Sequence, residues 1–344
     1  MKIVFLSRLF YPHIGGVEKH VYEISRLLHI KGHEITIITE NHGWKHEETI
    51  EGLHIYRIDV GKEDRNKKFR IWNELWKLKK AIADADIVHC HDVFFWFLPF
   101  RYLYSKKPVY TTFHGYEGNN IPTKKAVFMH ILAEKLSYGN ICVGTFFSKW
   151  YHTKPSYITF GAVDKKILKK WNKLTSPYKD VIFIGRLELE TGILEYLKAV
   201  QILKTNNIDL SIDIYGGGSL ENMAKSFVKN NNIKAKFHGF DRQVVEYLVG
   251  YRYIFTSRYL GILEALAVKR PIFSVYNNLI KKDYLQMTPF SSMISISKDY
   301  KQIAEALEAA MLKKKDVNIK KGYEWVEKQT WDSLVEVYLS LWKI

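Results

Sequence analysis

Short apolar runs alternate along the chain with longer segments whose apolar residues recur at helical spacing. The first run, Lys2–Ser7, is continuous, as in a strand of a parallel sheet that is covered on both faces. A turn at residues 11–16 leads into residues 17–31, which place apolar side chains on one helical face, and residues 33–39 form the next apolar run. A strand, a helix and a second strand make one βαβ unit, which predicts a doubly wound parallel sheet.

The same alternation continues through two series of elements. The first series adds strands at residues 53–59, 87–91, 108–113, 140–143 and 156–160. A polar stretch at residues 165–180 precedes the second series, which has strands at 181–185, 210–215, 235–238, 253–257 and 271–275 and helices at 192–206, 220–230, 262–268 and 300–313. The pattern predicts an α/β protein with two Rossmann-like domains, residues 1–165 and 178–328, and a final helix within residues 329–344.

Composition narrows the class of protein. The 344 residues suit about two domains, and a hydrophobic content of 47% is sufficient for two cores. The longest uninterrupted apolar run, residues 93–100, is far shorter than the ~20 residues of a membrane-spanning helix, and residues 3–6 are too short for a signal peptide. Two cysteines exclude a disulfide scaffold and fit a reducing compartment, so the sequence predicts a cytoplasmic protein.

The net charge of +16 is compatible with nucleic acid, an anionic membrane surface or phosphorylated substrates. No RRM, KH or helix-turn-helix pattern is present, so we expect no nucleic-acid partner. Residues 62–80 carry eight basic residues against three acidic ones, together with Phe69, Trp72 and Trp76. Basic amphipathic helices with tryptophan lie in the membrane interface, which predicts peripheral attachment to the inner face of a membrane. The alternative is a solvated helix that packs through Ile71 and Leu75.

Glycine and arginine residues follow several predicted strands, where parallel sheets bind their ligands. Gly15 and Gly16 open a helix directly after the first strand, and the free N–H groups of a helix N-terminus attract phosphate. Their spacing is not GxGxxG, so a nicotinamide site is not predicted. Arg186 ends the first strand of the second domain as a fork for phosphate, and residues 216–218 repeat the glycine turn there. The alternative for each glycine turn is a purely structural one.

Histidine and aspartate residues mark further strand ends. His114 follows the strand at residues 108–113, where it can donate to a substrate oxygen or phosphate, or else pack as a structural histidine. His89 and His91 share one face of a strand, and we interpret them as the polar lining of a cleft because no third ligand at metal-site spacing accompanies them. Asp84 and Asp86 precede a strand and predict a solvated loop. The sequence therefore predicts no metal and no cofactor.

The serial order of the motifs GGVEKH, HCHD, TFHG, FGAVD, GRLELETG, YGGGS, FHGF and GILEALA resembles the retaining GT-B glycosyltransferases of the large fourth family, also called glycosyl transferases group 1. The resemblance runs from residue 1 to about residue 332. It implies two Rossmann-like domains facing each other across a cleft, the second binding a nucleotide-sugar donor and the first carrying most of the acceptor site. It also implies a final helix that returns to the first domain, transfer with retention of the anomeric configuration, and no metal.

On the matching positions, the resemblance implies one catalytic residue and a donor site. His114 would contact the transferred sugar near its reacting carbon, Arg186 would hold the diphosphate, and Glu264, in the first turn of a helix, would bind the ribose hydroxyls. The predicted donor site comprises Gly15, Gly16, Arg186, Gly216, Gly217, Arg258, Gly261 and Glu264. The predicted donor is a UDP- or GDP-sugar, and the acceptor is a glycan, a lipid-linked molecule or a small molecule.

Two positions depart from the family pattern. The family usually has lysine before the last glycine of GRLxxxKG, where this chain has Thr191. The family also has two glutamates eight residues apart, but Thr256 lies eight residues before Glu264, in a segment that is shorter than the family's. We expect Arg258 to replace part of the lost positive charge. The departures leave two alternatives to an active transferase, namely a non-catalytic GT-B protein that binds glycan or scaffolds a partner as a subunit, and a nucleotide-sugar epimerase.

Overall fold

The structure is a computed structural model that describes residues 1–13, 15–116, 121–169, 178–312 and 318–344. Contacts divide these residues into two compact units. The first contains Met1–Tyr116, Pro122–Thr159 and Trp331–Ile344, and the second is formed chiefly by Phe160–Thr330. The first unit is therefore discontinuous in sequence. Most of the segment between the two predicted domains, residues 166–177, lies outside the described residues.

The first unit is built on an eight-stranded sheet. Its strands are β1 (Lys2–Ser7), β2 (Glu34–Glu40), β3 (Glu47–Ile50), β4 (Leu53–Ile58), β5 (Ile87–His91), β6 (Val109–Phe113), β7 (Gly139–Val143) and β8 (Tyr157–Thr159). Their order across the sheet is β3-β4-β2-β1-β5-β6-β7-β8, and every neighbouring pair is parallel except β3 and β4. The carboxyl ends of β1, β5 and β6 consequently lie side by side.

The strand β3 was not predicted from the sequence. It pairs with β4 in an antiparallel hairpin whose turn residues, Glu51 and Gly52, both have positive φ, at 50° and 82°. Turns with two positive φ values match the twist of a hairpin, so the connection is well formed. The strand itself, EETI, is half-exposed at the sheet edge and contains no apolar run that periodicity could detect.

The second unit is built on a six-stranded sheet in which every pair is parallel. Its strands are β9 (Lys179–Ile184), β10 (Ser211–Tyr215), β11 (Lys234–Gly239), β12 (Tyr251–Phe255), β13 (Ile272–Val275) and β14 (Ser295–Ser297). The order β11-β10-β9-β12-β13-β14 means that the chain builds outward from β9 in one direction and then returns to its other side. Ligands of doubly wound sheets bind at such a switch point, which here lies at the carboxyl ends of β9 and β12.

Helices connect the strands in both units. They are α1 (Gly16–Ile30), α2 (Lys67–Lys77), α3 (Lys79–Asp84), α4 (Phe94–Leu103), α5 (Lys124–Leu136), α6 (Phe146–Trp150), α7 (Lys165–Leu168), α8 (Ile193–Thr205), α9 (Glu221–Asn230), α10 (Val244–Tyr247), α11 (Tyr259–Ala267), α12 (Leu279–Gln286), α13 (Tyr300–Met311), α14 (Ile319–Val326) and α15 (Trp331–Trp342). The prediction of a doubly wound α/β protein with two parallel sheets is confirmed. Among the residues that the structure describes, no helix has the length and apolar character needed to cross a membrane.

The helix α15 completes the core of the first unit, although it follows the whole second unit in sequence. It packs on α1, and Lys31 Nζ pairs with Glu336 Oε1 at 2.9 Å on the surface of this contact. Its buried face presents Leu334, Val335, Tyr338, Leu341 and Trp342. Burying a large apolar side chain contributes about 1.5–3 kcal/mol, so this face is a substantial part of the unit's stability.

Candidate functional site

Two arginines converge at the switch point of the second sheet. Arg186 follows β9 and Arg258 follows β12, and β9 and β12 are neighbours. The Arg186 Nη2 atom lies 2.7 Å from Glu190 Oε1, and the Arg258 Nη2 atom lies 3.1 Å from the same oxygen. The two guanidinium groups thus share one carboxylate oxygen. Because the Arg186 side chain is 58% exposed, its positive charge remains accessible from solvent.

A buried lysine, which sequence reasoning missed, lies beside this arginine pair. Lys281 of α12 is fully buried, and its Nζ donates to the Ser257 carbonyl oxygen. Burial holds the pKa of Lys281 well below its usual value, and the charge of Arg258 lowers it further. The helix is capped by Asn278, whose Oδ1 accepts the Lys281 N–H at 2.7 Å. This cap is the one local sequence signal near Lys281, and it indicates the start of a helix rather than a binding site.

Thr191 has a structural role in the turn that presents Arg186. The threonine is buried, and its Oγ1 lies 2.5 Å from the Arg186 carbonyl oxygen and 2.8 Å from the Glu188 carbonyl oxygen, which share its one hydroxyl proton. It is followed by Gly192, which adopts a left-handed conformation with φ of 80°. The Thr191 hydroxyl therefore stabilises this turn, but it supplies no positive charge.

The glycine run at residues 216–218 packs against the same turn. Gly216 has φ of +136°, and a Cβ atom on it would lie 1.9 Å from the Gly185 carbonyl oxygen. A Cβ atom on Gly218 would lie 2.5 Å from the Leu187 carbonyl oxygen, and Leu187 N–H donates to the Gly217 carbonyl at 2.9 Å. This close backbone approach accounts for the two glycines structurally. Contact of Gly216 and Gly217 with the donor stays a prediction.

Glu264 occupies the second turn of α11, so its predicted place in the first turn of a helix is wrong. The helix begins at Tyr259, because Arg258 is extended and its carbonyl accepts the Ile262 N–H at 2.9 Å. Glu264 is 6% exposed, on a helix that is buried almost throughout. A Cβ atom on Gly261 would lie 2.5 Å from Thr256 Oγ1, so glycine at 261 permits close packing of the helix on β12.

In the first unit, Gly15 and Gly16 form the N-terminus of α1. Gly15 is the N-cap in an extended conformation, and no side-chain hydrogen bond from the described residues caps the helix there. The turn before it is held by Arg57 of β4, which is buried and whose Nη2 donates to the Tyr11 carbonyl at 2.9 Å. Sequence reasoning missed Arg57, because nothing local links β4 to this turn.

His114 lies just past β6 and is held by the end of β5. Its backbone N–H donates to Asp92 Oδ1 at 2.8 Å, and its Nε2 lies 2.8 Å from His91 Nδ1. The ring packs edge-on against His20 of α1, with 4.6 Å between ring centroids. Burial, with the nearby His20 and His89, holds the pKa of His114 well below its usual value. The imidazole is therefore neutral near pH 7.

His89 and His91 are both buried, so the interpretation of the pair as the lining of a cleft is wrong. His89 lies in the core of the unit. It is fully buried; its Nδ1 accepts the Trp342 indole N–H at 3.1 Å, and its Nε2 lies 2.7 Å from Thr112 Oγ1. The chain of contacts continues from Thr112 to the Tyr338 hydroxyl at 2.9 Å and from there to His20 Nε2 at 2.8 Å. Burial lowers the pKa of His20 to about 3. Two of these side chains, Trp342 and Tyr338, belong to α15, and no local sequence pattern connects that helix to β5.

Two family models match the chain. Residues 14–149 match the model described as Glycosyltransferase Family 4, and residues 164–325 match the model described as Glycosyl transferases group 1. Together the two matches span most of the chain. A much shorter match, 44% identical over 41 residues, links it to one subunit of phosphatidylinositol N-acetylglucosaminyltransferase from Homo sapiens. That match covers 12% of this chain and 8% of the human protein.

Solved structures share the fold over nearly the whole chain. Sucrose-phosphate synthase of Thermosynechococcus elongatus has a TM-score of 0.79 at 13% identity, covering 99% of this chain and 98% of that one. HepE of Anabaena, solved with UDP and glucose, has a TM-score of 0.76 at 10% identity and full coverage of both chains. A glycosyltransferase of Rickettsia africae has a TM-score of 0.72 at 16% identity, covering 99% and 98%. The chain therefore belongs to the family 4 glycosyltransferases and has their GT-B fold.

Proposed function

We propose that this glycosyltransferase transfers a sugar, with retention of configuration, from a nucleotide-sugar donor to a glycan, a lipid-linked molecule or a small molecule. The observation that carries the proposal is the pair of guanidinium groups, from Arg186 and Arg258, on one oxygen of Glu190. Guanidinium forks match the oxygens of a phosphate, and the pair lies at the switch point where doubly wound sheets bind nucleotides.

The charges around this pair suit a diphosphate. Arg186 and Arg258 supply positive charge, and Glu190 supplies a compensating negative charge between them. An incoming diphosphate would take the place of the Glu190 carboxylate as the partner of the arginines. This arrangement supports the expectation that Arg258 replaces part of the charge that is missing at Thr191.

UDP is the first donor nucleotide to test. Structures of Anabaena HepE contain UDP or UDP-glucose, and HepE shares this fold. Glu264 is proposed to bind the ribose hydroxyls, and Gly15, Gly16, Gly216, Gly217 and Gly261 are proposed to line the donor site. GDP-sugars remain the second choice, because the described residues include no group that we assign to the base.

His114 is proposed as the catalytic residue that contacts the transferred sugar. Its neutral imidazole can donate one hydrogen bond to a sugar oxygen without carrying a charge. Its backbone is fixed by Asp92, so the ring is held in place before a ligand arrives. Preorganised donors of this kind stabilise charge that develops in a transition state.

The proposal predicts that UDP binding depends on Arg186. We expect Arg186→Ala to weaken UDP binding by about 2–3 kcal/mol, the scale of a charge-assisted hydrogen bond, and Arg258→Ala to weaken it by less. Calorimetric titration measures both. The matched control is Arg252→Ala, an exposed arginine at the start of β12, which should bind UDP as the parent chain does. Parent-like affinity in Arg186→Ala would show that the proposed donor site is misplaced.

A non-catalytic subunit is the second candidate. Thr191 favours it, because its hydroxyl is committed to the turn and no lysine at this position assists the leaving diphosphate. The two candidates differ in turnover. An active enzyme hydrolyses a UDP-sugar slowly even without an acceptor, so release of UDP from a panel of UDP-sugars supports the enzyme. UDP binding without any release supports the non-catalytic role.

A further inference from the structure

A buried histidine on β5 contacts His114, and the proposed transfer reaction gives it no task. His91 is 1% exposed at the last position of β5. In the register of the sheet it lies opposite Thr112 of β6, two residues before His114. Its Nδ1 is 2.8 Å from His114 Nε2, and the two rings lie 5.1 Å apart. One of these two nitrogens must carry the proton that the hydrogen bond requires.

The neighbouring residue fixes the backbone at the same point. Asp92 adopts a left-handed conformation with φ of 62°, and its N–H donates to the Thr112 carbonyl at 3.0 Å. This turn brings Asp92 Oδ1 to the His114 N–H. His91, the last residue of β5, therefore contacts the ring of His114, and Asp92, the next residue, holds its backbone. With the backbone fixed, the direction of the ring hydrogen bond decides what His114 can offer to a ligand.

The surroundings of His91 favour one direction for that hydrogen bond. Its other nitrogen, Nε2, is buried and has no hydrogen-bond partner among the residues that the structure describes. The rings of Phe5 and His89 lie 5.2 Å and 5.0 Å from the His91 ring. If His114 donated through Nε2, a neutral His91 would carry its proton on Nε2, as a buried donor without an acceptor. Orphaned N–H donors are rarer in folded proteins than orphaned acceptors.

We infer that His91 is a positioning residue that donates through Nδ1 to His114 Nε2 and thereby fixes the tautomer of His114 with its proton on Nδ1. Because His91 takes up Nε2 of His114, the Nδ1–H group is the ring donor that remains for a ligand oxygen. That this ligand is the transferred sugar rests on the proposed function. The tautomer itself rests on the geometry of His91 and His114 alone.

The tautomer can be measured without substrate. In protein labelled with ¹⁵N-histidine, two-bond correlations distinguish a ring protonated on Nδ1 from one protonated on Nε2, and the His114 signals are assigned by their loss in His114→Gln. We expect the parent chain to show His114 protonated on Nδ1. We expect His91→Phe, which keeps a ring but removes the donor, to lose this single tautomer. A parent chain with His114 protonated on Nε2 would overturn the inference.

Kinetics supply a second readout, with UDP-glucose hydrolysis as the probe reaction. We expect His91→Phe to lower kcat about 100-fold, the scale of a small misplacement of a reacting group, while KM changes less than about 3-fold. His91→Asn should recover most of the loss, because its amide N–H can replace Nδ1–H. The control is His130→Phe, which replaces a half-buried histidine of the same unit. Thermal unfolding of each variant shows whether it is folded.

The outcomes separate the inference from the proposed function. Parent-like kcat in a folded His91→Phe, or no recovery in a folded His91→Asn, would overturn the positioning role. If the parent chain hydrolyses no UDP-sugar at all, the proposed activity fails, and the tautomer measurement still decides whether His91 orients His114.

Discussion

Glu190 is the shared partner of the two arginines that are proposed to bind the diphosphate. Its Oε1 atom contacts both guanidinium groups, so it competes with any anion for them. We expect Glu190→Gln to bind UDP about 3- to 10-fold more tightly, because the arginines lose a charged competitor and each tenfold step corresponds to about 1.4 kcal/mol. Calorimetry tests this, with Glu195→Gln, whose partner is Lys198, as the control. Weaker binding in Glu190→Gln would mean that the carboxylate positions the arginines instead.

Asp213 makes the second unit sensitive to acid. Burial by itself would raise its pKa, but hydrogen bonds from His238, Lys179 and Tyr251 outweigh burial and lower the pKa to about 2. The folded state therefore binds this proton less readily than the unfolded chain, in which an aspartate titrates near about 3.9. The contribution of Asp213 to stability is complete above about pH 4 and is lost as the pH falls from there to about 2.

Replacement of Asp213 tests this linkage. We expect Asp213→Asn to lower the free energy of unfolding by about 1–2 kcal/mol at pH 7 and to flatten its decline between about pH 4 and pH 2. Urea unfolding at a series of pH values is the measurement. Asp209→Asn is the control, because Asp209 is an exposed partner of Lys234. If the free energy of unfolding of Asp213→Asn still fell as steeply as that of the parent chain at acid pH, Asp213 would not be the group responsible.

At the residue scale, the sequence identified side chains that follow strands and missed those that arrive from elsewhere. Position after a parallel strand was enough to single out Arg186 and His114, whereas Arg258 was singled out by its place in the shortened segment before Glu264. Their roles in binding and catalysis stay predictions. Lys281 and Tyr338 were missed because each reaches its contacts from an element distant in sequence. Such contacts depend on tertiary packing, which periodicity does not encode.

The helix α2 has two different faces. Ile71 and Leu75 are buried, as the alternative of a packed helix expects, while Phe69 is 54% exposed. Trp76 is 49% exposed, and lysine side chains lie over both exposed rings, Lys68 over Phe69 and Lys79 over Trp76. The exposed face thus combines aromatic rings with positive charge. Peripheral binding to an anionic membrane surface accordingly stays a proposal for this face.

Sedimentation with anionic liposomes tests the membrane proposal. We expect binding at low salt that weakens at high salt, because each basic residue near the surface contributes about 1 kcal/mol that salt screens. Replacing both Phe69 and Trp76 by serine should reduce binding, whereas Phe240→Ser, an exposed ring in the second unit, should not. No binding at low salt would remove the proposal, and binding insensitive to salt would remove its electrostatic part.

Element prediction succeeded where strands are apolar throughout or helices have one apolar face. The central strands β1, β5 and β9 were found because both their faces are covered, which makes them continuous apolar runs. The edge strand β3 was missed because it is half-exposed and carries polar residues. The strand β14 was missed because it has only three residues, two of which are serines. The start of α11 was placed three residues late, because a buried tyrosine rather than a polar cap begins it.

At the scale of the whole molecule, Tyr338 connects the last described helix to the histidines of the first unit. Its hydroxyl lies between Thr112 and His20, and all three groups are buried. We expect Tyr338→Phe to lower the free energy of unfolding by about 1–3 kcal/mol, because two buried polar groups lose their partner. Chemical denaturation is the measurement, and Tyr157→Phe, on an exposed tyrosine, is the control. A parent-like value would show that water or a rearranged side chain satisfies these groups.

The discontinuity of the first unit also sets the order in which the protein can be completed during synthesis. After β8 has left the ribosome, the whole second unit must be made before α15 appears. At 5–20 residues per second, this interval lasts roughly 10 to 30 s. Throughout it, His89 lacks the indole of Trp342 and His20 lacks the hydroxyl of Tyr338. The second unit, which is nearly contiguous, can therefore finish first, and the half of the protein that is made earliest acquires its final core last.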